Sequence, residues 1–257
     1  MTSMGVDVGS ISTKGAIIKS GGEVLLTQTI PTGYNAKRAG EKLFNKMLTE
    51  SGLDRSDIGK IIATGYGRAS VTFSDKAVTE ITCHAAGAHH LNPGIRTIID
   101  IGGQDSKAIS VDGNGSVNDF AMNDKCAAGT GRFLEVMARA MEVDLTEFGF
   151  MSLSAETPAS ISSLCTVFAE SEVISLISKG EQRANIIAGI HESICSRVVA
   201  MAGRVGLHAP VMMTGGVARN IGVVKALEKK IGMPVEVSEH AQVNGAIGAA
   251  LIAANMS

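Results

Sequence analysis

The amino-acid sequence predicts an α/β fold built from two duplicated lobes around a cleft. An apolar-Asp-apolar-Gly segment occurs twice, at residues 5–9 and 97–103, with its aspartates 93 residues apart. Each copy continues in the same order, into a Ser/Thr-Lys pair, a short apolar strand and a glycine turn. A period this long indicates duplication of a whole unit and not a solenoid. Since no linker rich in Pro, Gly and Ser separates the copies, we expect the two halves to pack together.

The first lobe is predicted to span residues 1–95 and to begin with strands. Short apolar runs between glycine turns are typical of strands, and three such runs occur early in the chain, at 4–9, 16–18 and 24–27. Apolar residues three or four positions apart then predict a helix over 36–50. A buried strand over 61–65 and a helix rich in small residues over 80–91 complete this lobe.

The second lobe is predicted to span residues 96–243, where helices follow the repeated strands. Its strands are predicted at 97–103, 108–111, 211–214 and 235–237, and its helices at 130–141, 167–178, 186–205 and 220–230. Apolar residues recur every three or four positions over 186–205, which indicates a buried stripe. A helix rich in Gly and Ala closes the chain over 246–254, and we expect the segment 244–257 to pack back on the first lobe.

Composition excludes several classes of function. The 257 residues carry 23 Lys and Arg against 25 Asp and Glu, a net charge of −2, so we expect no basic face for nucleic acid. No uninterrupted apolar run reaches the ~18 to 20 residues of a membrane span. The first residues lack the charged and apolar regions of a signal peptide. We therefore expect a cytoplasmic protein, in which the four cysteines are free, ligating or reactive and not paired in disulfides.

Both copies of the repeat place phosphate-binding chemistry at a strand end. Glycines let backbone N–H groups approach phosphate oxygens, hydroxyls add donors, and a carboxylate can hold hydrated Mg²⁺. The residues of this kind are Asp7, Gly9, Ser10, Ile11, Ser12, Thr13 and Lys14 in the first copy, and Asp100, Gly102, Gly103, Gln104, Asp105, Ser106 and Lys107 in the second. Their spacing matches neither the P-loop nor the dinucleotide-binding glycine motif. Two such hairpins, one in each lobe, predict a clamp on a polyphosphate.

A third glycine turn strengthens this prediction. Thr214, Gly215, Gly216, Val217 and Ala218 follow another buried strand. Two Asp-Gly hairpins combined with a Gly-Gly turn resemble the actin/hexokinase/Hsp70 superfamily of ATPases. The resemblance implies a ribonuclease-H-like duplicated α/β fold that closes on ATP. The first two motifs would hold phosphates, and the third would lie against the adenosine.

The four cysteines differ in their sequence context. Cys83 and Cys195 lie inside predicted helices, and we interpret both as core residues. Cys126 and Cys165 each stand just before a predicted helix, whose N-terminus favours a thiolate and a nearby anion. Spacing alone leaves two hypotheses open, which are unremarkable thiols or ligands of an iron–sulfur cluster. A four-thiolate cluster would take two ligands from each of two chains, which predicts a two-fold dimer with the cluster on its axis.

Six segments of the chain together resemble one family. They are residues 5–10, 64–68, 99–107, 123–133, 165–173 and 213–217. Together they resemble the ATP-dependent activators of 2-hydroxyacyl-CoA dehydratases, within a broader family that includes the ATPase subunits of benzoyl-CoA reductase. The likeness covers essentially the whole chain, and the stretch 123–133 is its most specific part.

This resemblance implies a cofactor, partners and an activity. Cys126 and Cys165 of two subunits would hold one [4Fe–4S] cluster that bridges a homodimer. A reduced ferredoxin or flavodoxin would reduce the cluster. MgATP binding would then drive one electron to a partner dehydratase, which uses it to remove water from a 2-hydroxyacyl-CoA by a radical route. The sequence does not distinguish among the lactoyl, 2-hydroxyglutaryl, phenyllactoyl and 2-hydroxyisocaproyl substrates.

The nucleotide residues receive expected roles on the same basis. Asp7 and Asp105 would lie near Mg²⁺, and Gln104 near the γ-phosphate or the attacking water. The hydroxyl residues of the first hairpin and Lys14 would contact phosphates, and the residues against the adenosine would be Gly215, Gly216 and Val217. Gln242, in the loop before the last helix, is either a further nucleotide contact or a polar residue at a helix start.

Three alternatives stay open at this point. The chain could be the ATPase subunit of a benzoyl-CoA reductase-type enzyme. It could instead be a sugar or acetate kinase of the same superfamily, which would need a carbohydrate or carboxylate pocket and no cluster. An assembly role of the filament or chaperone type is disfavoured, because the chain is short for those folds and has no obvious peptide-binding appendage.

Overall fold

A computed structural model describes residues 2–162 and 165–256 of the chain. The chain forms two compact units. Unit 1 comprises Met1–Arg96, Val111–Asn118 and Gln242–Ser257, and unit 2 comprises Thr97–Ser110 and Asp119–Ala241.

Unit 1 is built on a five-stranded mixed sheet. Its strands are β1 (Thr2–Val8), β2 (Ser12–Lys19), β3 (Val24–Pro31), β4 (Ile58–Thr64) and β5 (Lys76–Ala77), in the spatial order β3-β2-β1-β4-β5. β1 and β2 form an antiparallel hairpin that β3 extends, whereas β4 pairs with β1 in parallel. The predicted early strands are confirmed, and the structure adds the two-residue edge strand β5.

Three helices cover this sheet, and small residues set how closely they approach it. They are α1 (Ala36–Ser51), α2 (Glu80–Leu91) and α8 (Asn244–Ala254). Leu43 and Met47 of α1 are fully buried against the sheet, as the predicted helical spacing requires. A Cβ on Gly5 of β1 would collide with the carbonyl of Ala246 in α8, and one on Gly248 with the carbonyl of Cys83 in α2. The close packing expected of the last helix is therefore observed.

Unit 2 repeats the same sheet. Its strands are β6 (Thr97–Ile101), β7 (Ser106–Val111), β8 (Val117–Asn123), β9 (Val211–Thr214) and β10 (Val235–Glu236). Their spatial order is β10-β9-β6-β7-β8. Read in reverse, this order matches that of unit 1, and β6 takes the central place of β1. β6 and β7 form an antiparallel hairpin, and β9 pairs with β6 in parallel. The duplicated α/β fold predicted from the repeat is thus confirmed.

Five helices belong to unit 2. They are α3 (Gly131–Ala140), α4 (Leu145–Ser152), α5 (Thr166–Ser178), α6 (Arg183–Val205) and α7 (Ile221–Ile231). α4 is the helix that the periodicity did not predict, because it is only eight residues long and contains Gly149. Its start signal was present, since the side chain of Asp144 accepts a hydrogen bond from the Thr146 amide.

The predicted apolar stripe of α6 is confirmed as a core surface. Ile187, Ile190, Ile194 and Val198 are buried in the large hydrophobic cluster of unit 2. Among the described residues α6 is the one helix long and apolar enough to cross a membrane by length and composition. Most of that apolar stretch is buried inside the protein, which is typical of a core helix.

Candidate functional site

The first hairpin brings an aspartate and a lysine together at the end of β1. Asp7 and Lys14 are register partners across the β1–β2 ladder, and the Lys14 Nζ lies 3.2 Å from Asp7 Oδ2. The amide of Gly9 donates to the Ser12 carbonyl at 3.1 Å and closes the turn. Asp7 is 5% exposed, so its carboxylate is held by the lysine and largely withdrawn from water. Ile11 lies at the tip of this turn and is exposed.

Thr13 takes a different place from the other hydroxyl residues of this hairpin. It is fully buried, and its hydroxyl shares a hydrogen bond of 2.8 Å with the hydroxyl of Thr32. Thr32 in turn donates to the carbonyl of Gly9 at 2.7 Å. The two threonines therefore brace the turn from inside, whereas Ser10 and Ser12 stay partly exposed on it. The bracing role of Thr32 was not predicted from the sequence.

The second hairpin has the same register and is more deeply buried. Asp100 and Lys107 are partners across the β6–β7 ladder, with Lys107 Nζ 3.2 Å from Asp100 Oδ2. The same Nζ lies 2.9 Å from Oδ1 of Asp105, so one lysine that is 1% exposed holds two carboxylates. The amide of Gly102 donates to the Asp105 carbonyl at 2.9 Å, and Gln104 is exposed at the tip of the turn. Gly103 is partly buried beside it.

A Thr-Gly pair closes each hairpin from the neighbouring parallel strand. Gly65 follows β4 with φ +84°, and Gly215 follows β9 with φ +87°, a conformation that favours glycine. A Cβ on Gly65 would collide with Asp7 Oδ1, and one on Gly215 would lie 2.9 Å from Asp100 Oδ1. In unit 2 the Thr214 hydroxyl also donates to Asp100 Oδ1 at 2.9 Å.

Sequence reasoning found this turn in one copy only. Gly215 is predicted as part of a third glycine motif. Its counterpart Gly65 is predicted as the end of a strand and belongs to the segment 64–68 of the family resemblance, with no link to the repeat. The signal was available, because both strands are apolar runs that end in Thr-Gly. The repeat therefore extends further along the chain than the two hairpins.

The other residues expected near the nucleotide lie at or after this turn. Gly216 is exposed, whereas Val217 is 7% exposed, with its Cγ2 directed at the start of α3. The Gly215 amide donates to the carbonyl of Ala241 at 2.9 Å, and Gln242 follows in the chain as a partly buried residue.

Cys126 lies in a short, highly bonded loop between β8 and α3. The side chain of Asn123 donates to the carbonyls of Cys126 and Ala128, at 2.8 and 3.1 Å, and accepts from the Cys126 amide at 3.3 Å. The thiol itself is exposed. Nη1 of Arg197, on α6, lies 4.0 Å from the Cys126 Sγ, which brings a positive charge to the sulfur.

Cys165 is the N-cap residue of α5, and its side chain makes no capping hydrogen bond. Its thiol is exposed like that of Cys126. Two apolar residues in the first turn of the helix, Val167 and Phe168, are also exposed, at 66% and 67%. Both thiols thus stand at the surface of unit 2. Cys165 immediately precedes its helix, as predicted, whereas four residues separate Cys126 from the start of α3.

The other two cysteines are buried, as predicted. Cys83 lies between α2 and the sheet of unit 1, and Cys195 lies in the core of unit 2. Burial raises the pKa of each thiol to about 12, so both stay protonated at neutral pH. Within residues 2–162 and 165–256, no three His, Cys, Asp or Glu side chains come together as a metal site.

Comparison with known proteins identifies the family. Residues 4–253 match the BadF/BadG/BcrA/BcrD ATPase family. The chain belongs to this family. It is 48% identical to the 2-hydroxyisocaproyl-CoA dehydratase activator of Clostridioides difficile, over 98% of this chain and 95% of that one. It is 49% identical to the activator of lactoyl-CoA dehydratase of Anaerotignum propionicum, over 98% and 97%.

Solved structures agree with this assignment. The activator of the 2-hydroxyisocaproyl-CoA dehydratase from Clostridium difficile with bound ADPNP matches with a TM-score of 0.94 and 46% identity, over 99% of this chain and 95% of that one. One of the subunits of the benzoyl-CoA reductase of Thauera aromatica is a more distant relative, at 35% identity over 96% of this chain and 91% of its own length. A glucokinase of Streptomyces griseus shares the fold alone, at 13% identity and a TM-score of 0.63, over 98% of this chain and 99% of that one.

Proposed function

We propose that this member of the BadF/BadG/BcrA/BcrD ATPase family is an ATP-driven electron donor to a 2-hydroxyacyl-CoA dehydratase. In this proposal it works as a homodimer in which Cys126 and Cys165 of both subunits hold one [4Fe–4S] cluster. The observation that carries the proposal is the contrast among the four cysteines. Two are buried in the cores, and the two expected ligands are exposed on the same unit.

The donor set fits half of a four-thiolate cluster. One chain presents two exposed thiols, and a [4Fe–4S] cluster takes four cysteine ligands. A second copy related by a two-fold axis would complete the set. The exposed surface of α5 supports such a contact, because several large apolar side chains after Cys165 are exposed on it, namely Val167, Phe168, Ile174 and Ile177.

The chain's own residues define the surroundings of these thiols. When bound, a cluster supplies a one-electron carrier whose potential depends on its ligands, on hydrogen bonds to sulfur and on solvent exposure. The Arg197 guanidinium places a positive charge beside Cys126, with its Nη1 4.0 Å from the sulfur. Asn123 fixes the backbone on both sides of Cys126, so the position of this sulfur is set by the loop.

Each phosphate hairpin contributes a different chemistry to the bound MgATP. In the first, Lys14 and the hydroxyls of Ser10 and Ser12 would contact phosphate oxygens, and Asp7 would hold the hydrated Mg²⁺. In the second, Asp105, whose Oδ1 lies 2.9 Å from Lys107 Nζ, would also face the Mg²⁺, and Gln104 would orient the attacking water. Gly215, Gly216 and Val217 lie against the adenosine, with Gln242 as a further contact.

ATP is needed because the electron must reach a low-potential acceptor. For one electron, each ~59 mV of potential corresponds to roughly 1.4 kcal/mol. Nucleotide binding can supply this energy only if the protein has two conformations that differ in their affinity for the nucleotide. The two hairpins are the elements whose contacts with phosphates would differ between those conformations. The donor to the protein would be a reduced ferredoxin or flavodoxin, in the cytoplasm of an anaerobic cell.

The relatives favour a dehydratase over a reductase as the partner. The chain is 48% and 49% identical to two dehydratase activators, against 35% for the benzoyl-CoA reductase relative. A kinase function has only a fold-level likeness in its support.

Purification under strictly anaerobic conditions tests the cluster. We expect about two iron and two acid-labile sulfide atoms per chain, since one four-iron cluster serves two chains. Cys126→Ser and Cys165→Ser should each lose the iron, and Cys83→Ser is the matched control that keeps it because its thiol is buried in unit 1. Iron lost from Cys83→Ser and kept in Cys165→Ser would make the ligand assignment wrong. A colourless, iron-free dimer that phosphorylates a small acceptor would replace the proposal with a kinase.

A further inference from the structure

The start of α3 is hydrogen-bonded directly to the second phosphate hairpin. The amide of Gly131 donates to the carbonyl of Gly102, and the amide of Arg132 donates to the carbonyl of Gly103, both at 2.8 Å. Gly131 and Arg132 are the first two residues of α3. Gly102 and Gly103 form the turn that follows β6. All four residues belong to unit 2.

These bonds replace the cap that a helix normally provides for itself. The first amides of a helix have no partner within it and usually bond to an N-cap side chain. Thr130, the N-cap of α3, makes no such bond, because its hydroxyl donates to the carbonyl of Ala127. By contrast, α1, the first helix after the third strand of unit 1, has an ordinary cap in which Asn35 accepts from the Arg38 amide. The phosphate hairpin therefore serves as the cap of α3.

On its other side, this helix start is joined to Cys126 by a short, stiff stretch of chain. Four residues separate Cys126 from Gly131. The Thr130 amide donates to the Ala127 carbonyl at 3.0 Å, and Asn123 holds the carbonyls of Cys126 and Ala128. Backbone and side-chain hydrogen bonds thus fix the chain at several points between the helix start and Cys126.

The contact at Gly131 is tight for any side chain, so a Cβ there would push its neighbours away by a few tenths of an ångström. A Cβ at this position would lie 3.1 Å from the Gly102 carbonyl oxygen, 3.3 Å from the Gly103 Cα and 3.3 Å from Val217 Cγ2. These neighbours belong to the phosphate hairpin and to the turn assigned to the adenosine. Gly131 therefore sits where both nucleotide motifs of unit 2 meet the helix that follows Cys126.

We infer that Gly131 is a positioning residue that couples the nucleotide to Cys126. When the Gly102–Gly103 turn moves to meet a phosphate, its two carbonyls move the amides of Gly131 and Arg132, and the loop carries the displacement to the Cys126 sulfur. The inference rests on the proposed nucleotide contacts of the second hairpin. It does not depend on iron, because every bond in the connection lies within the polypeptide.

Thiol labelling of the full-length, iron-free protein tests the connection. Iodoacetamide labelling of Cys126 and Cys165 is followed by peptide mass spectrometry, with and without saturating MgADPNP. In the wild type we expect MgADPNP to change the labelling rate of Cys126 at least threefold. In Gly131→Ala that change should disappear, while the variant still binds MgADPNP in a calorimetric titration. Gly203→Ala in α6 is the matched control, since a Cβ there meets nothing within 4 Å, and it should respond like the wild type.

Hydrogen exchange of the wild type gives a second measurement that needs no variant. The peptide that contains the Gly131 and Arg132 amides should change its exchange rate at least tenfold when MgADPNP binds. A Cys126 labelling rate that ignores nucleotide in the wild type, or that responds equally in Gly131→Ala, overturns the inference. So does unchanged exchange of this peptide. Failure of the proposed function would appear separately, as iron-free protein from anaerobic cells, and would leave these contrasts unaffected.

Discussion

His191 provides a quantitative test of the packing in unit 2. It lies on α6, 1% exposed, with its ring edge-on to Phe148 at 5.5 Å between centroids. Burial lowers its pKa to about 3, from an ordinary value of 6.5. Between pH 3 and pH 6.5 the unfolded chain binds a proton at His191 that the folded chain does not, so the free energy of unfolding falls as the pH falls. Each pH unit below 6.5 costs about 1.4 kcal/mol, hence about 2 kcal/mol at pH 5.

Replacement of His191 by a side chain that does not titrate should remove this dependence. Between pH 7 and pH 5, the free energy of unfolding should fall by about 2 kcal/mol more in the wild type than in His191→Met. This difference does not depend on how stable the variant is at pH 7. Urea unfolding of the iron-free protein measures this difference. It is followed by circular dichroism, because the chain has no Trp and only two Tyr. His90→Gln, at an exposed position of α2, is the control that should keep the wild-type dependence. Equal losses in His191→Met and wild type would refute the burial argument.

Two further predictions concern the hairpins. Lys107→Met leaves the carboxylates of Asp100 and Asp105 without the lysine between them, and should cost about 3–5 kcal/mol of unfolding free energy. Lys19→Met removes an exposed ion pair and should cost under about 1 kcal/mol of unfolding free energy. Similar losses in Lys107→Met and Lys19→Met would contradict the stabilising role of the buried Lys107 ion pairs. Asp7→Asn should lower the ATPase rate roughly 10²-fold, because the electrostatic contact proposed between Asp7 and the Mg²⁺ would be lost, and should leave the iron content unchanged. An unchanged ATPase rate would remove Asp7 from the Mg²⁺ site.

Much of the fold follows from local patterns. The repeated Asp-Gly hairpins predicted the duplication, and a sheet with the same strand order appears in both units. Periodic apolar residues predicted α1 and α6 well, because each buries one continuous stripe. No bounds were predicted for three elements. β5 and α4 have too few residues for a period, and the edge strand β8 has no buried residue to mark a core-facing side.

The site was predictable in its residue types and less so in its contacts. Thr13 was expected to face phosphate, yet it is the second residue of β2 and points inward with Gly15, as strand alternation requires. The contact between Arg197 and Cys126 joins residues 71 positions apart, and no local pattern signals it. The bonds from Gly131 and Arg132 to the second hairpin are made by backbone atoms, and the glycine at 131 indicates a close approach without naming the partner.

The two copies differ in the segment that precedes their parallel strand. In unit 1, β3 is followed by α1, and α1 leads to the parallel strand β4. In unit 2, the helix that leads to the parallel strand β9 is α6, and three further helices, α3, α4 and α5, stand between it and β8. Both exposed cysteines lie in this additional segment, whereas each duplicated hairpin retains its Asp-Lys pair. This segment is attached to the repeated part of unit 2 where the carbonyls of Gly102 and Gly103 accept hydrogen bonds from the first amides of α3, and the proposed response of the segment to nucleotide requires such an attachment.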